Sequence, residues 1–283
     1  MCAIWGTTWL AIKVSLQGLP PITGAGVRFV VAGLFLWALA RCVPASRGTK
    51  APWRTIVVLA LTLFGGNYAL TYYAETGLAS GLVAVLFGTL PFWVFAFGAV
   101  MLGERVGPNA VIGAVLAFAG VAAISLNGDV HGAWPYILAT LAAAALSAYA
   151  NIVLKQHAAT DPFRTLPPAM FAAGIAMTIA GSTFEHPDVQ RALAPGSVAA
   201  LLYLAIPGSG IAFSLNHWLL HRLEAWVVGL SALVIPVIAV VVGALGGGES
   251  FTWRELAGAA LVLTGVWLAL RAPRTATVPE VPC

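Results

Sequence analysis

Three charged residues stand inside stretches otherwise too apolar for water: Lys13, Arg28 and Glu75. A charge in a hydrocarbon environment is costly, so such residues are paired, shielded or put to use. The expected pairing joins the Glu75 carboxylate to the Arg28 guanidinium or the Lys13 amine. For Lys13 and Glu75 the alternative is snorkelling, with the charged tip reaching the headgroups. Glu75 is the candidate for a proton-coupling group, although a neighbouring cation would hold it in its charged form. A second set of residues could line a small-molecule pocket: Asn67, Tyr68, Tyr72, Trp93, Ser209, Ser214, Trp218 and Ser231. Tyr68 and Tyr72 lie four apart, as do Ser214 and Trp218, so each pair shares one face of a helix. Aromatic walls with a few hydrogen-bonding groups suit an amphipathic, aromatic solute better than a phosphorylated one.

Other spacings offer weaker chemistry. His217, His221 and Glu224 fall at i, i+4 and i+7, the spacing of a metal-binding helix face. They define the rival reading, a membrane-embedded metal-dependent enzyme. Histidines at the end of a span are more commonly polar anchors, so no metal is assigned. Glu104 and Glu249 each follow a glycine and open the turn into the next helix, where a carboxylate favours the helix N-terminus. Neither a Ser-His-Asp order nor a phosphate-binding glycine loop occurs, so no catalytic residue, no cofactor and no enzyme activity are expected. Cys2, Cys42 and Cys283 show neither metal spacing nor a disulfide framework.

These residues must be positioned by helices in a bilayer. The chain has 283 residues, 60% hydrophobic and 8% charged, whereas a soluble domain carries about a quarter charged residues. A bilayer core takes roughly 20 apolar residues per helix. Ten such stretches are expected, at about Met1–Gln17, Pro21–Arg41, Thr55–Tyr73, Gly81–Leu102, Asn109–Leu126, Trp134–Lys155, Leu166–Phe184, Val198–Leu220, Trp226–Leu245 and Thr252–Leu270. Their length and continuous apolarity exclude a barrel, whose strands are short and alternate. The first seventeen residues lack a basic start and a cleavage site, so they read as a first span and not a signal peptide. The net charge of +4 comes from loop residues and is no nucleic-acid signal. Lys and Arg crowd the loops of one side, which is expected to be cytoplasmic with both termini. Trp53, Trp134 and Trp253 stand at span ends as interfacial anchors.

The chain also repeats itself 145 positions apart. Pro91 maps to Pro236, Gly103-Glu104 to Gly248-Glu249, Gly113-Ala114 to Gly258-Ala259, and Gly120-Val121 to Gly265-Val266. The register reaches back from Gly65 to Gly210. The expectation is an all-α integral membrane protein of ten transmembrane helices in two five-helix repeats, residues 1–128 and 129–271, with a disordered cytoplasmic tail at 272–283. Five is odd, so the second repeat enters from the opposite side and the repeats are inverted. Pro91 and Pro236 fall near mid-span as paired kinks. Interruptions at matching points of inverted repeats point to a midplane site, here lined by the third, fourth, eighth and ninth spans.

The chain resembles the EamA-type branch of the drug/metabolite transporter superfamily over nearly its whole length. The resemblance rests on Trp5-Gly6 and Lys13 in the first span, Arg28 in the second, Pro91, Gly103-Glu104-Arg105, and Gly113, Leu116 and Gly120. The second half repeats it more weakly, with Lys155 and Gly248-Glu249; Ser147-Ala148 stand where Trp5-Gly6 would be. The resemblance implies a multi-pass inner-membrane carrier of bacteria that exports small organic solutes. With the pocket residues, it makes neutral or aromatic amino acids the expected substrates, and other metabolites or drugs the alternative. The expected partners are the small-molecule substrate, the lipid bilayer and protons as coupling ion.

Overall fold

The computed structural model describes residues 1–42, 48–78, 80–125, 133–238 and 253–271. The Gly248-Glu249 pair and the tail from 272 lie outside the described residues. Helices occupy most of the described part of each expected stretch. They are α1 (Cys2–Ser15), α2 (Pro21–Cys42), α3 (Trp53–Leu59), α4 (Asn67–Gly77), α5 (Ser80–Phe87), α6 (Leu90–Met101), α7 (Pro108–Ser125) and α8 (Trp134–Gln156) in the first part of the chain. Next come α9 (Pro162–Phe184), the short α10 (Val189–Ala192), α11 (Pro195–Ala205), α12 (Ala212–Arg222), α13 (Ala225–Gly229), α14 (231–238) and α15 (Trp253–Leu270). Among the described residues no strand occurs, only an isolated bridge between Thr49 and Thr160. Among the described residues six stretches are long and apolar enough to cross a membrane: Pro21–Cys42, Trp53–Gly77, Leu82–Met101, Trp134–Gln156, Pro162–Phe184 and Pro195–Arg222. Shorter apolar helices cover Pro108–Ala123, Ala225–Ile238 and Ala257–Leu270.

Two stretches widen in the middle. The α3–α4 stretch passes through a π-helical turn at Ala60–Gly66, and the α11–α12 stretch through another at Ile206–Ile211. Such bulges are rare and release backbone carbonyls from the regular ladder. Gly65 and Gly210, which are repeat counterparts, both sit in these turns. Pro207 helps the second, because it has no N–H to donate.

Two other stretches break. The fourth turns at Gly88-Thr89, between α5 and α6, and the ninth at Leu230, between α13 and α14. Pro91 does not sit at mid-helix, where the sequence reading places it. Pro91 lies in the first turn of α6, where a missing N–H costs nothing. Pro236 lies inside α14, six residues beyond the turn at Leu230. The breaks follow glycines instead, Gly88 and Gly229. Each resumes with a three-residue hydrogen bond: Phe92 N–H to Thr89 O and Leu233 N–H to Leu230 O, both 3.0 Å.

Two glycine-lined crossings flank the molecule. Where α2 meets α9, a Cβ on Gly26 would lie 2.5 Å from Thr178 N, and one on Gly174 would lie 2.5 Å from Val30 N. Where α7 meets α15, a Cβ on Gly113 would lie 2.4 Å from Gly265 O and one on Gly120 2.7 Å from Gly258 O. Residue numbers rise along one helix as they fall along the other, so both pairs are antiparallel. Small residues allow this backbone approach. Between the flanks lies an aromatic core in which Phe64 meets both Phe29 and Phe213 edge-on.

Candidate functional site

The core encloses a cavity of about 80 Å³. A single water needs roughly 10–15 Å³ by this measure, so several water-sized groups fit. Its walls come from six stretches. The third, fourth, eighth and ninth contribute, as expected, through Asn67, Tyr68 and Thr71; Phe87 and Leu90; Phe213 and Asn216; and Ser231, Ala232, Ile235 and Pro236. The first and sixth contribute as well, through Trp5, Thr8, Trp9 and Ile12 and through Ser147 and Asn151. Among the described residues no charged side chain lines this cavity.

The polar lining is internally bonded. Asn216 Nδ2 donates to Asn151 Oδ1 at 2.8 Å, and Asn151 Nδ2 to the Ser147 carbonyl at 2.9 Å. On the third stretch, Asn67 Nδ2 donates to Leu63 O at 3.2 Å and Thr71 Oγ1 to Asn67 Oδ1 at 3.4 Å. Asn67 and Asn151 each reach a carbonyl one helical turn back, and Asn216 reaches Asn151, so the amides stay satisfied yet exchangeable.

Arg28 lies one layer behind the wall and is only 1% exposed. Its Nε donates to Ser209 Oγ at 2.8 Å, Nη1 to the Tyr72 hydroxyl at 3.4 Å, and Nη2 to the Gly208 carbonyl at 3.4 Å. The guanidinium also stands 4.7 Å from the centre of the Tyr68 ring, whose side chain lines the cavity. Gly208 O belongs to the π-helical turn and also accepts Trp5 Nε1 at 3.2 Å. The widened turn thus supplies acceptors to a buried cation. The hydrogen bonds described for Arg28 thus go to neutral oxygens; Glu75 is buried and Lys13 is exposed.

The sequence-predicted residues therefore divide. Asn67, Tyr68, Ser231 and Pro236 line the cavity. Tyr72 and Ser209 stand behind it, on Arg28. Ser214 donates to Gly210 O at 2.8 Å and stays outside. Trp93 stacks on Phe97 and is 39% exposed; Trp218 lies 4.1 Å from the Arg222 guanidinium and is 51% exposed. Both tryptophans face outward. Pro91 is buried beside Leu90, which does reach the cavity. Sequence reasoning missed Trp5, Thr8, Trp9, Ser147, Asn151 and Asn216. The signals were present: Trp5 and Trp9 lie four apart, Ser147 and Asn151 likewise, and Asn216 is the repeat counterpart of Thr71.

The metal reading loses its geometry. His217 Nε2 meets the Thr160 carbonyl at 2.9 Å, Glu224 Oε2 accepts Trp226 Nε1 at 2.8 Å, and His221 is exposed. Among the described residues no group of three metal-binding side chains converges. Glu104 does favour a helix N-terminus, but not that of the following helix. Its Oε1 accepts the Ala225 N–H at 3.0 Å, at the start of α13. Burial pushes the Glu104 carboxyl above its usual range, and the α13 amides pull it partly back.

A helical membrane protein built around an uncharged, polar and aromatic cavity belongs to the class of small-solute transporters. The EamA-like transporter family matches residues 1–126 and again 133–271, and this chain is a member of that family. A "probable amino-acid metabolite efflux pump" of Salmonella typhimurium is 30% identical, over 97% of this chain and 95% of its own. A protein of the same description from Escherichia coli K12 is 29% identical, over 94% and 90%. The "uncharacterized inner membrane transporter YedA" of Escherichia coli K12 is 28% identical, over 94% and 83%. A solved crystal structure shares the fold, with a TM-score of 0.81 at 22% identity over 95% of this chain and 93% of its own.

Proposed function

We propose that this transporter exports neutral amino acids, aromatic ones among them, by alternating access between two inverted five-helix repeats in a bacterial inner membrane. The observation that carries the reading is the origin of the cavity walls. Tyr68 and Phe213, Thr71 and Asn216, Phe87 and Ala232, and Leu90 and Ile235 all line it, each pair 145 positions apart. Trp5 with Ser147 and Trp9 with Asn151 add pairs 142 apart. Corresponding residues of two repeats converge on one point only when a pseudo-two-fold axis passes near it. The antiparallel glycine crossings, α2 with α9 and α7 with α15, fit the same axis.

Charge favours the amino-acid reading. The Arg28 guanidinium behind Tyr68 biases the cavity toward a carboxylate, at an effective dielectric where a charge several ångströms away still counts. Aromatic walls take an apolar or aromatic side chain. A phosphorylated solute would need charged donors on the wall itself. Other metabolites and drugs stay the alternative substrates. The inner-membrane placement leans on the description of the YedA relative, and both termini in the cytoplasm on the loop charges. Glu75, buried one helical turn beyond Thr71, is the residue we assign to proton coupling.

Counterflow in proteoliposomes tests the reading. Vesicles loaded with one unlabelled amino acid should accumulate the labelled form saturably, phenylalanine or another neutral species best. A pH gradient should stimulate the wild type, and Glu75→Gln should keep counterflow while losing that stimulation. Folded protein that exchanges no amino acid would refute the substrate assignment.

A further inference from the structure

At one end of the cavity, Lys155 holds two helices together. Lys155 stands one turn past Asn151 on α8, and its Nζ donates to Leu220 O and Leu223 O, each at 2.7 Å. These are carbonyls of the last turn of α12 and its cap, which have no acceptor role left inside the helix. The cap residue Leu223 is extended, with φ −122° and ψ 156°. Next to this lysine, Glu104 seals the start of α13 through the Ala225 N–H. The connection between α12 and α13 is thereby tied to α8 and to the segment that follows α6, across that end of the cavity.

The other end carries the same receptor. Its cap is Leu78, the counterpart of Leu223 145 positions earlier, at the end of α4. Leu78 is extended with φ −120° and ψ 154°, and its N–H returns to Ala74 O at 2.9 Å as that of Leu223 returns to Leu219 O at 2.8 Å. The counterpart of Lys155 is Lys13, 142 positions earlier and one turn past Trp9. Helix α1 packs on both α4 and α5, as α8 packs on both α12 and α13. Yet Lys13 is exposed, and among the described residues it donates to neither the Leu78 nor the Glu75 carbonyl. One of two like-shaped helix ends holds its lysine and the other does not.

We propose that Lys155 and Lys13 are alternate latches. The conformation described has the Lys155 end closed. In the opposite conformation Lys155 lets go, and Lys13 docks on the carbonyls of Leu78 and Glu75 to close the other end. The proposal rests on the alternating-access reading above, but it needs no particular substrate. Both acceptors of this latch are main-chain carbonyls at a helix end, which water can satisfy once the lysine lets go.

The chain contains three lysines, Lys13, Lys50 and Lys155, and Lys50 is exposed. Amine acylation of the full-length protein in phosphatidylcholine nanodiscs, read by mass spectrometry, therefore reports the state of Lys13 against Lys50 as internal reference. Lys155→Met removes the closed latch. Lys13 labelling relative to Lys50 should then fall about tenfold as the population moves to the opposite conformation. Lys155→Arg, which can still reach two carbonyls, should label like the wild type. Equal Lys13 labelling in wild type and Lys155→Met would overturn the proposal. Should Lys155→Met not fold, Glu104→Ala decides by the same assay. It should lower Lys13 labelling about threefold, a weaker bias than losing the lysine itself, and unchanged labelling again refutes the latch. Counterflow with unchanged labelling rejects the latch alone; a labelling shift without amino-acid counterflow rejects the substrate alone.

Discussion

The flanks and the centre of this molecule are packed by opposite means. At the flanks, backbone meets backbone: the Cβ that Gly113 lacks would lie 2.4 Å from Gly265 O, and that of Gly26 2.5 Å from Thr178 N. In the centre, side chains keep the helices apart. A Cβ on Gly229 would first meet Val94 side-chain atoms at 3.3 Å, and one on Gly208 the Thr8 methyl at 3.1 Å. Contacts between backbones have no rotamers to exchange, so they lock one crossing. Contacts between side chains can repack, and they leave room for a solute. The flanks are thus fixed crossings, and the centre is the part whose side chains can repack.

The largest way to break this contrast is to put bulk into a flank. Gly26→Leu should cost at least about 3 kcal/mol, because the new side chain meets main chain on α9 that cannot move aside. Thermal unfolding in detergent would register it, with Gly196→Ala as the opposite case. Nothing lies within 4 Å of a Cβ at Gly196, so its change should stay within about 0.5 kcal/mol. A smaller effect on stability, but a large one on transport, is expected in the centre. Asn216→Ala removes the partner of Asn151 Oδ1 and should destabilise the fold by about 1–2 kcal/mol. Counterflow per folded molecule should fall by about tenfold or more, as a binding site loses a polar group. The smallest effect should come from the outward tryptophans. Trp93→Ala and Trp218→Ala should leave the apparent affinity for substrate within about twofold, since surface changes away from a site are near neutral. A large loss of affinity in either would place that side chain in the solute path.

The helices were legible because apolar run length encodes them directly. Gly65 and Gly210 were legible as matched small residues, although only the structure shows that they sit in widened turns. The cavity was half legible. Trp93 and Trp218 were misplaced because a helix that is apolar all round gives no sign of which face meets lipid. Asn151, Ser147 and Thr8 were missed because the prolines drew attention to the fourth and ninth stretches. Their own signal is one small polar group per turn in a long apolar run. The acceptors of Arg28 were hidden for a different reason. Charge balance suggested a carboxylate for Arg28, whereas a distant π-helical turn supplies neutral oxygens, and no local pattern near Arg28 announces them.

The burial of Arg28 has an electrical consequence. A guanidinium stays protonated at any pH a cell reaches, and this one is buried, so its positive charge is a permanent fixture behind the cavity wall. A sodium ion entering the cavity would face that charge at short range, and among the described residues no carboxylate lines the wall to offset it. The buried guanidinium therefore makes the cavity inhospitable to small metal cations.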